Sequence, residues 1–167
     1  MDIKKTVEAE ESFLISLRRH FHENPELSQQ EWKTMDFIEE TLHGWGISTV
    51  RVPRGGVFGM IDSGKDGWTV LMRADIDALP IEENPKNLAC EKACLSKNHG
   101  VSHACGHDGH MAMLLTAAKI LAAHKDEWEG KVLLMFEEAE EMGERGVGHL
   151  LSYLDEKKIH VDACYGT

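Results

Sequence analysis

Two runs of adjacent apolar residues constrain the fold of this chain more than any other feature. Residues 70–72 and 132–136 place apolar side chains next to one another, and a strand with that pattern must be buried on both faces. Helical spacing of apolar residues precedes and separates these runs, at Phe13, Leu14, Leu17 and Phe21; at Trp32, Met35, Ile38, Leu42 and Trp45; and at Met111, Leu114, Leu115, Ala118, Leu121 and Ala122. Buried strands that alternate with helices predict an α/β protein with helices on both faces of its sheet.

Turn and capping signals predict the remaining element boundaries. Strands are expected at residues 47–52, 57–62, 68–73 and 161–165. The first helix should stop before Asn24-Pro25, and Ser28-Gln29-Gln30-Glu31 has the pattern of a capping box for the second helix. Residues 79–101 have no clear period and predict a long loop, which in compact domains is often functional.

The composition argues against some classes of function. The 167 residues carry a formal net charge of −11, which disfavours nucleic-acid binding because phosphates attract basic surfaces. No run of about 18 apolar residues occurs, and the charged N-terminus lacks the apolar stretch of a signal peptide. A cytoplasmic protein with neither nucleic acid nor membrane as partner is therefore expected, with cysteines that are thiols or metal ligands rather than disulfides.

The densest group of metal-binding residue types is the segment HACGHDGH at 103–110. Cys105 and His107 are two residues apart, so in an extended segment their side chains would point the same way. A thiolate and an imidazole form a zinc-type pair, although imidazole also suits other divalent metals. Gly106 and Gly109 would let the backbone turn around an ion. The alternative is a histidine-rich loop that precedes a helix and binds nothing.

Four carboxylates follow the predicted strand at 131–135, namely Glu137, Glu138, Glu140 and Glu141. Sites in open α/β sheets form at the carboxyl ends of strands, and crowded like charges repel unless a cation or solvent screens them. One carboxylate could bind an ion, and its neighbour could accept a proton from a water that the ion activates. The alternative is a solvated acidic turn.

A third polar group, Asp75 and Asp77, follows the predicted strand at 68–73. These residues could face one way, and either could accept a hydrogen bond from a ligating imidazole. An ordinary turn at the end of a strand is the alternative. Cys90 and Cys94 offer two further sulfur atoms, which we interpret as free thiols.

The order of these segments resembles that of metal-dependent amidohydrolases related to metallopeptidases, a family that includes hippurate hydrolase, N-acetyl-diaminopimelate deacetylase and the auxin-conjugate hydrolases. The resemblance depends on RADIDALP at 73–80, HACGHDGH at 103–110 and AEE at 139–141, together with RRHFHENPEL at 18–27. It covers nearly the whole chain from about Leu14. It implies a zinc-peptidase-like α/β catalytic domain with a mixed sheet and a smaller inserted dimerisation domain.

The resemblance also implies an activity and roles for individual residues. The expected activity is metal-dependent hydrolysis of the amide bond of small N-acyl amino acids. The full-length protein is expected to be a homodimer. Two divalent ions are expected, manganese or zinc before cobalt or nickel. Cys105, His107 and Glu141 would bind metal, and Glu140 would be the general base and proton shuttle.

The chain departs from the family pattern in two ways. The family usually has Gln-Pro where this chain has Glu137-Glu138, so extra negative charge is expected to alter the metal affinity or the pKa of the base. The chain also ends at Thr167, where a further ligand histidine would follow. Residues 1–167 are therefore expected to be the N-terminal part of the catalytic domain, to lack the inserted domain and the C-terminal part, and to be inactive alone.

Two other interpretations stay open at this point. Cys90, Cys94, Cys105 and His107 could form a closed tetrahedral zinc site with a purely structural role. The chain could also be a non-catalytic remnant that binds metal weakly and aggregates through uncovered sheet edges.

Overall fold

The computed structural model describes residues 1–143 and 145–166. The helices are α1 (Ile3–Ala9), α2 (Glu11–Glu23), α3 (Trp32–Gly44), α4 (His107–Ala123) and α5 (Arg145–Lys157). The strands are β1 (Ser48–Val52), β2 (Gly56–Asp62), β3 (Thr69–Asp75), β4 (Lys131–Glu137) and β5 (Ala163–Gly166). Short 3₁₀ turns follow α4 and β4, at Lys125–Glu127 and Glu140–Met142. None of the helices within the described part of the chain is both long and apolar enough to cross a lipid bilayer.

The strands form one mixed sheet in the order β1-β2-β4-β3-β5. β3 lies parallel to β4 and β5, whereas β2 runs antiparallel to β1 and β4. β4 is paired on both sides and is buried from residue 132 to residue 137, as its adjacent apolar residues predict. Asp75 and Glu137 are register partners at the carboxyl ends of β3 and β4. The segments that follow these two strands therefore start side by side.

Alternate side chains of β4 enter two separate cores, because successive residues of a strand point to opposite faces of the sheet. Leu134 and Phe136 belong to the core that also contains buried residues of α2, α3 and α4. Leu133 and Met135 belong to a second core, which contains Leu150 of α5. The prediction of an α/β protein with helices on both faces of the sheet is confirmed.

Several predicted boundaries agree with the structure, whereas others differ, such as the end of β3, which is Asp75 rather than residue 73. α2 ends at Glu23, directly before Asn24-Pro25, and residues 79–101 contain no helix and no named strand. α4 begins at His107, earlier than the apolar spacing from Met111 indicated. The last predicted strand is observed as β5, and Thr167 lies outside the described residues.

The interpretation of Ser28 and Glu31 as a capping box is wrong. α3 begins at Trp32, and the side chain of Glu31 makes no capping hydrogen bond. Ser28 Oγ instead donates to Asp77 Oδ2 at 2.7 Å. Glu31 Oε1 accepts the backbone N–H of Ala139 at 2.8 Å. These two side chains therefore connect the loop before α3 to the segments that follow β3 and β4.

Candidate metal centre

The candidate site lies where the segments after β3 and β4 meet the N-terminus of α4. Gly106, directly before α4, has a φ of 97°, a left-handed conformation that glycine adopts without steric cost. The turn at Gly106 leads from Cys105 into the first residue of the helix, His107. The extended geometry that we expected for these two side chains is therefore wrong. Gly109 lies inside α4 and makes no such turn.

His107 is 2% exposed and its two ring nitrogens face different groups. Nδ1 lies 2.9 Å from the backbone oxygen of Asp77 and 3.3 Å from its Oδ1. Nε2 faces Asp75 Oδ2 at 3.5 Å and Glu141 Oε1 at 3.9 Å. A proton on Nδ1 would be donated to Asp77, so the lone pair of Nε2 is left to face the acidic groups and any cation among them.

Neighbouring charges and burial act in opposite directions on the pKa of His107. Burial alone would lower the pKa of the imidazole, but the hydrogen bond with Asp77 and the charge of Asp75 outweigh burial and raise it. An imidazole surrounded by carboxylates attracts positive charge, and either a proton or a metal ion can provide that charge.

Asp77 is almost fully buried and receives hydrogen bonds from separate parts of the chain. Its Oδ2 accepts the Ser28 hydroxyl at 2.7 Å and the backbone N–H of Glu141 at 3.0 Å. Burial would raise the pKa of this carboxyl, but the hydrogen bonds from His107, Ser28 and Glu141 lower it overall. Asp77 is therefore a stable anion that orients both His107 and the acidic turn after β4.

The three predicted ligands come together. One donor atom each from Cys105, His107 and Glu141 lies within 4.8 Å of the others. Glu141 Oε1 is buried and has no hydrogen-bond partner among residues 1–143 and 145–166, which is costly for a carboxylate unless a cation lies beside it. The pKa of the Cys105 thiol is raised by burial and then by the neighbouring Glu141 carboxylate. Sulfur, nitrogen and oxygen donors suit zinc and several other divalent ions, so these residues fit a metal.

Asp75 and Asp77 both lie beside the His107 ring, with Asp75 Oδ2 at 3.5 Å from Nε2 and Asp77 Oδ1 at 3.3 Å from Nδ1. β3 ends at Asp75, so Asp77 reaches the ring from the segment that follows the strand. Asp75 Oδ1 lies 2.6 Å from His110 Nδ1, and Asp75, His107 and His110 form a second group of close donor atoms. We did not predict His110 as a site residue. Its position three residues after His107 on a helix was the signal that could have identified it.

Glu140 lies at the open side of this group. Its Oε2 is 3.8 Å from His107 Nε2, and its side chain is 39% exposed. The pKa of Glu140 is raised, by burial first and by the charge of Asp75 next. A partly exposed carboxyl beside the ligand atoms can exchange a proton with a water in the site.

Glu137 and Glu138, which stand where the family usually has Gln-Pro, each have charged partners of their own. Glu137 Oε2 accepts hydrogen bonds from Arg73 Nε and Nη2, each at 2.8 Å. Its Oε1 accepts the backbone N–H of Val147 at 3.0 Å. Glu138 is buried, which raises its pKa, and it interacts with the charge of Arg51. Arg73 therefore pairs with Glu137, and its Nη1 also lies 3.1 Å from Asp75 Oδ2, so one positive charge is shared by the two carboxylates.

The cysteines of the long loop are not placed to complete a zinc site. Cys94 Sγ lies 3.5 Å from Arg18 Nη1. In the described part of the chain, neither Cys90 nor Cys94 belongs to a group of three close ligand atoms. The structure therefore does not bring Cys90 and Cys94 together with Cys105 and His107.

Comparisons with known proteins agree on one kind of protein. The model of "Peptidase family M20/M25/M40" matches residues 71–167. An N-acyl-L-amino acid amidohydrolase of Geobacillus stearothermophilus is 44% identical over 143 residues, which are 84% of this chain and 37% of that protein. The N-acetyl-L-cysteine deacetylase of Bacillus subtilis is 44% identical over 134 residues, which are 80% of this chain and 31% of that protein. The chain thus spans about a third of the length of these relatives.

A solved structure has the same fold. The YXEP protein of Bacillus subtilis, described as a dinuclear metal binding peptidase from the M20 family, superposes with a TM-score of 0.82 and 38% sequence identity. The match covers 95% of this chain and 43% of that chain.

Proposed function

Since the chain belongs to peptidase family M20/M25/M40, we propose that it is part of an enzyme that hydrolyses the amide bond of N-acyl amino acids with bound divalent metal ions. The family resemblance and the zinc-peptidase-like α/β fold predicted from the sequence are confirmed. The names of two relatives support the choice of substrate, since one is an N-acyl-L-amino acid amidohydrolase and the other an N-acetyl-L-cysteine deacetylase.

One observation supports this proposal more than any other. Donor atoms of Cys105, His107 and Glu141 converge within 4.8 Å, although two of these residues begin α4 and the third follows β4. Glu140 lies directly beside them, with its Oε2 3.8 Å from His107 Nε2. Three ligands and a neighbouring carboxyl are the parts that a metal-assisted hydrolase needs.

We propose that two divalent ions are bound, as in the YXEP protein. The family resemblance favours manganese or zinc over cobalt or nickel, and the ligand types suit several divalent ions. Cys105, His107 and Glu141 would supply one part of the ligand set. We propose that residues 1–167 are the N-terminal part of a catalytic domain, since they match only about a third of the length of the relatives. The inactivity of these residues alone, the homodimer at full length and the cytoplasmic location stay predictions.

The residues of this chain would then have separate tasks in hydrolysis. The bound ions would polarise the scissile carbonyl and make a water in the site more acidic. Glu140 would accept the proton of that water and return it to the nitrogen of the leaving amine. Because its pKa is raised, the carboxyl of Glu140 is suited to hold the proton between the two transfers. Asp77 would keep the proton of His107 on Nδ1, so that Nε2 stays available as a ligand.

Cobalt binding tests the metal centre. The chain should bind Co²⁺ and show the near-ultraviolet absorption band of a cobalt–thiolate bond. Cys105→Ser should lose the band, because its sulfur is the only one in the group of close donor atoms found among the described residues. The same substitution in the full-length protein should lower hydrolysis of an N-acetyl amino acid.

Cys90→Ser is the matched control, because it also removes one sulfur but lies outside the group of close donor atoms. It should leave the band unchanged. Loss of the band in Cys90→Ser would support the closed structural zinc site instead. Failure of the unsubstituted chain to bind Co²⁺ through sulfur would contradict the metal centre itself.

Asp77→Asn should weaken metal binding by about 10- to 100-fold, the usual cost of losing a group that orients a ligand. The amide keeps the size of Asp77. It lacks the negative charge that faces His107, and it has one acceptor oxygen instead of two. Zn²⁺ affinity, measured by competition with a chelating dye, checks this expectation. Ser28→Ala removes one hydrogen bond to the same carboxylate and should have a smaller effect. Equal affinity of Asp77→Asn and the unsubstituted chain would show that Asp77 does not orient His107.

A further inference from the structure

The acidic turn after β4 is attached to three other parts of the molecule through its backbone. The backbone N–H of Glu138 donates to the backbone oxygen of Gly55 at 3.0 Å. The N–H of Ala139 donates to Glu31 Oε1 at 2.8 Å, and the N–H of Glu141 donates to Asp77 Oδ2 at 3.0 Å. Two of the three acceptors are carboxylate side chains. Asp77 already has a task at His107, whereas the proposed mechanism does not use Glu31.

Ala139 has a backbone conformation that needs support. Its φ is 58° and its ψ is 35°, which is left-handed, and a residue with a Cβ adopts this conformation at a steric cost. The conformation reverses the chain between β4 and the 3₁₀ turn that carries Glu140 and Glu141. If Ala139 returned to a right-handed or extended conformation, both carboxylates would point elsewhere.

Glu31 is buried in a way that packing does not explain. Its side chain is 0% exposed, and Oε2 has no hydrogen-bond partner in the described part of the protein. Burial raises the pKa of this carboxyl to about 7. An uncharged residue of similar size would fill the same volume without an unfavourable buried charge. The contact that distinguishes Glu31 from such a residue is the hydrogen bond to Ala139.

We propose that Glu31 is a positioning residue, which holds Ala139 in its left-handed conformation and thereby directs Glu140 and Glu141 toward the metal centre. The inference depends on the proposed function, because it requires Glu141 as a ligand and Glu140 as the base. It assigns to the start of α3 a role in a site whose other residues follow β3 and β4 or begin α4. Only the acceptor oxygen of Glu31 is needed for this role, and its charge is not.

Two substitutions distinguish the effect of the acceptor oxygen of Glu31 from the effect of its side-chain volume. Glu31→Gln keeps an oxygen that can accept the N–H of Ala139, whereas Glu31→Met has a similar length and no such acceptor. Glu31→Gln should bind Co²⁺ within about threefold of the unsubstituted chain, and Glu31→Met should bind it about tenfold or more weakly and with an altered cobalt spectrum. Urea unfolding of the metal-free variants establishes that each is folded at the conditions of the titration.

Equal Co²⁺ affinity and equal spectra in a folded Glu31→Met variant would overturn the inference but leave the metal centre intact. Absence of sulfur-bound Co²⁺ in the unsubstituted chain would overturn the proposed function, and this inference with it. A measurement that needs no variant is amide hydrogen exchange in the unsubstituted chain. The Ala139 amide should exchange slowly because Glu31 accepts its hydrogen. Rapid exchange at Ala139 with slow exchange along β4 would also overturn the inference, even if Glu31→Met fails to fold.

Discussion

Glu140→Gln in the full-length protein is expected to lower kcat for an N-acetyl amino acid by about 10²- to 10⁴-fold, the range that general acid–base catalysis contributes. The amide has the size of the carboxyl but can neither accept the proton of the water nor deliver it to the leaving amine. Metal content should stay unchanged, because Glu140 is outside both groups of close donor atoms. Steady-state kinetics and metal analysis of the same preparation check both statements.

Glu156→Gln is the matched control for this substitution. It makes the same chemical change at an exposed residue of α5, outside both groups of close donor atoms, and should alter kcat little. Turnover by Glu140→Gln near that of the unsubstituted enzyme would contradict the assignment of the base. Loss of bound metal in Glu140→Gln would instead identify this residue as a ligand.

The metal-free chain is expected to lose stability as the pH rises from about 4.5 to about 7, because Glu31 is buried. The pKa of Glu31 is raised from 4.5 to about 7 in the folded state, so the folded state binds this proton more tightly than the unfolded state does. The stability from this proton is fully present below pH 4.5, is lost as the pH rises through 7 and changes no further above it. The shift corresponds to a free energy of unfolding on the order of 3 kcal/mol.

Urea unfolding of the unsubstituted chain and of Glu31→Gln at pH 5 and pH 8, with chelator present, isolates this effect. Titrating groups that do not interact with Glu31 contribute equally to both proteins and cancel in the difference, whereas Asp77 and Glu138 are coupled to Glu31. Glu31→Gln should gain stability relative to the unsubstituted chain between pH 5 and pH 8. A difference that stays constant with pH would show that Glu31 is ionised without cost in the fold.

The site residues whose types are ordinary metal ligands could be predicted from the sequence. Cys105 and His107 are chemically distinctive, and Glu140 and Glu141 follow a strand whose burial is evident from its adjacent apolar residues. The carboxyl ends of neighbouring parallel strands lie at the same edge of a sheet. Polar segments that follow such strands can therefore be expected to lie close together. The structure brings these four residues together.

Ser28 and Glu31 could not be assigned to the site in this way. Their spacing is that of a local helix signal, and a capping box needs no information from elsewhere in the chain. Ser28 contacts Asp77, which lies 49 residues later in the chain, and Glu31 contacts Ala139, which lies 108 residues later. Contacts at such separation depend on how the elements pack, and no pattern within a short segment of sequence contains that information.

His110 and Asp75 show a second limit of sequence reasoning. Alternation along a strand predicts one face for Asp75 and Asp77 only while the strand continues, and β3 stops at Asp75. The place where a strand ends is the least certain part of its prediction. The contact of Asp75 with His110 and the approach of Asp77 to His107 both depend on that end.

The candidate site is built from four segments of the chain: the loop before α3, the end of β3, the start of α4 and the turn after β4. The unfolded polymer therefore has no preformed cavity for an ion, and ligation is coupled thermodynamically to folding. An ion present at 100 times its dissociation constant would add about 2.7 kcal/mol to the free energy of unfolding. Metal supply would then regulate how much of this protein persists in the native state, in addition to whether the enzyme is active.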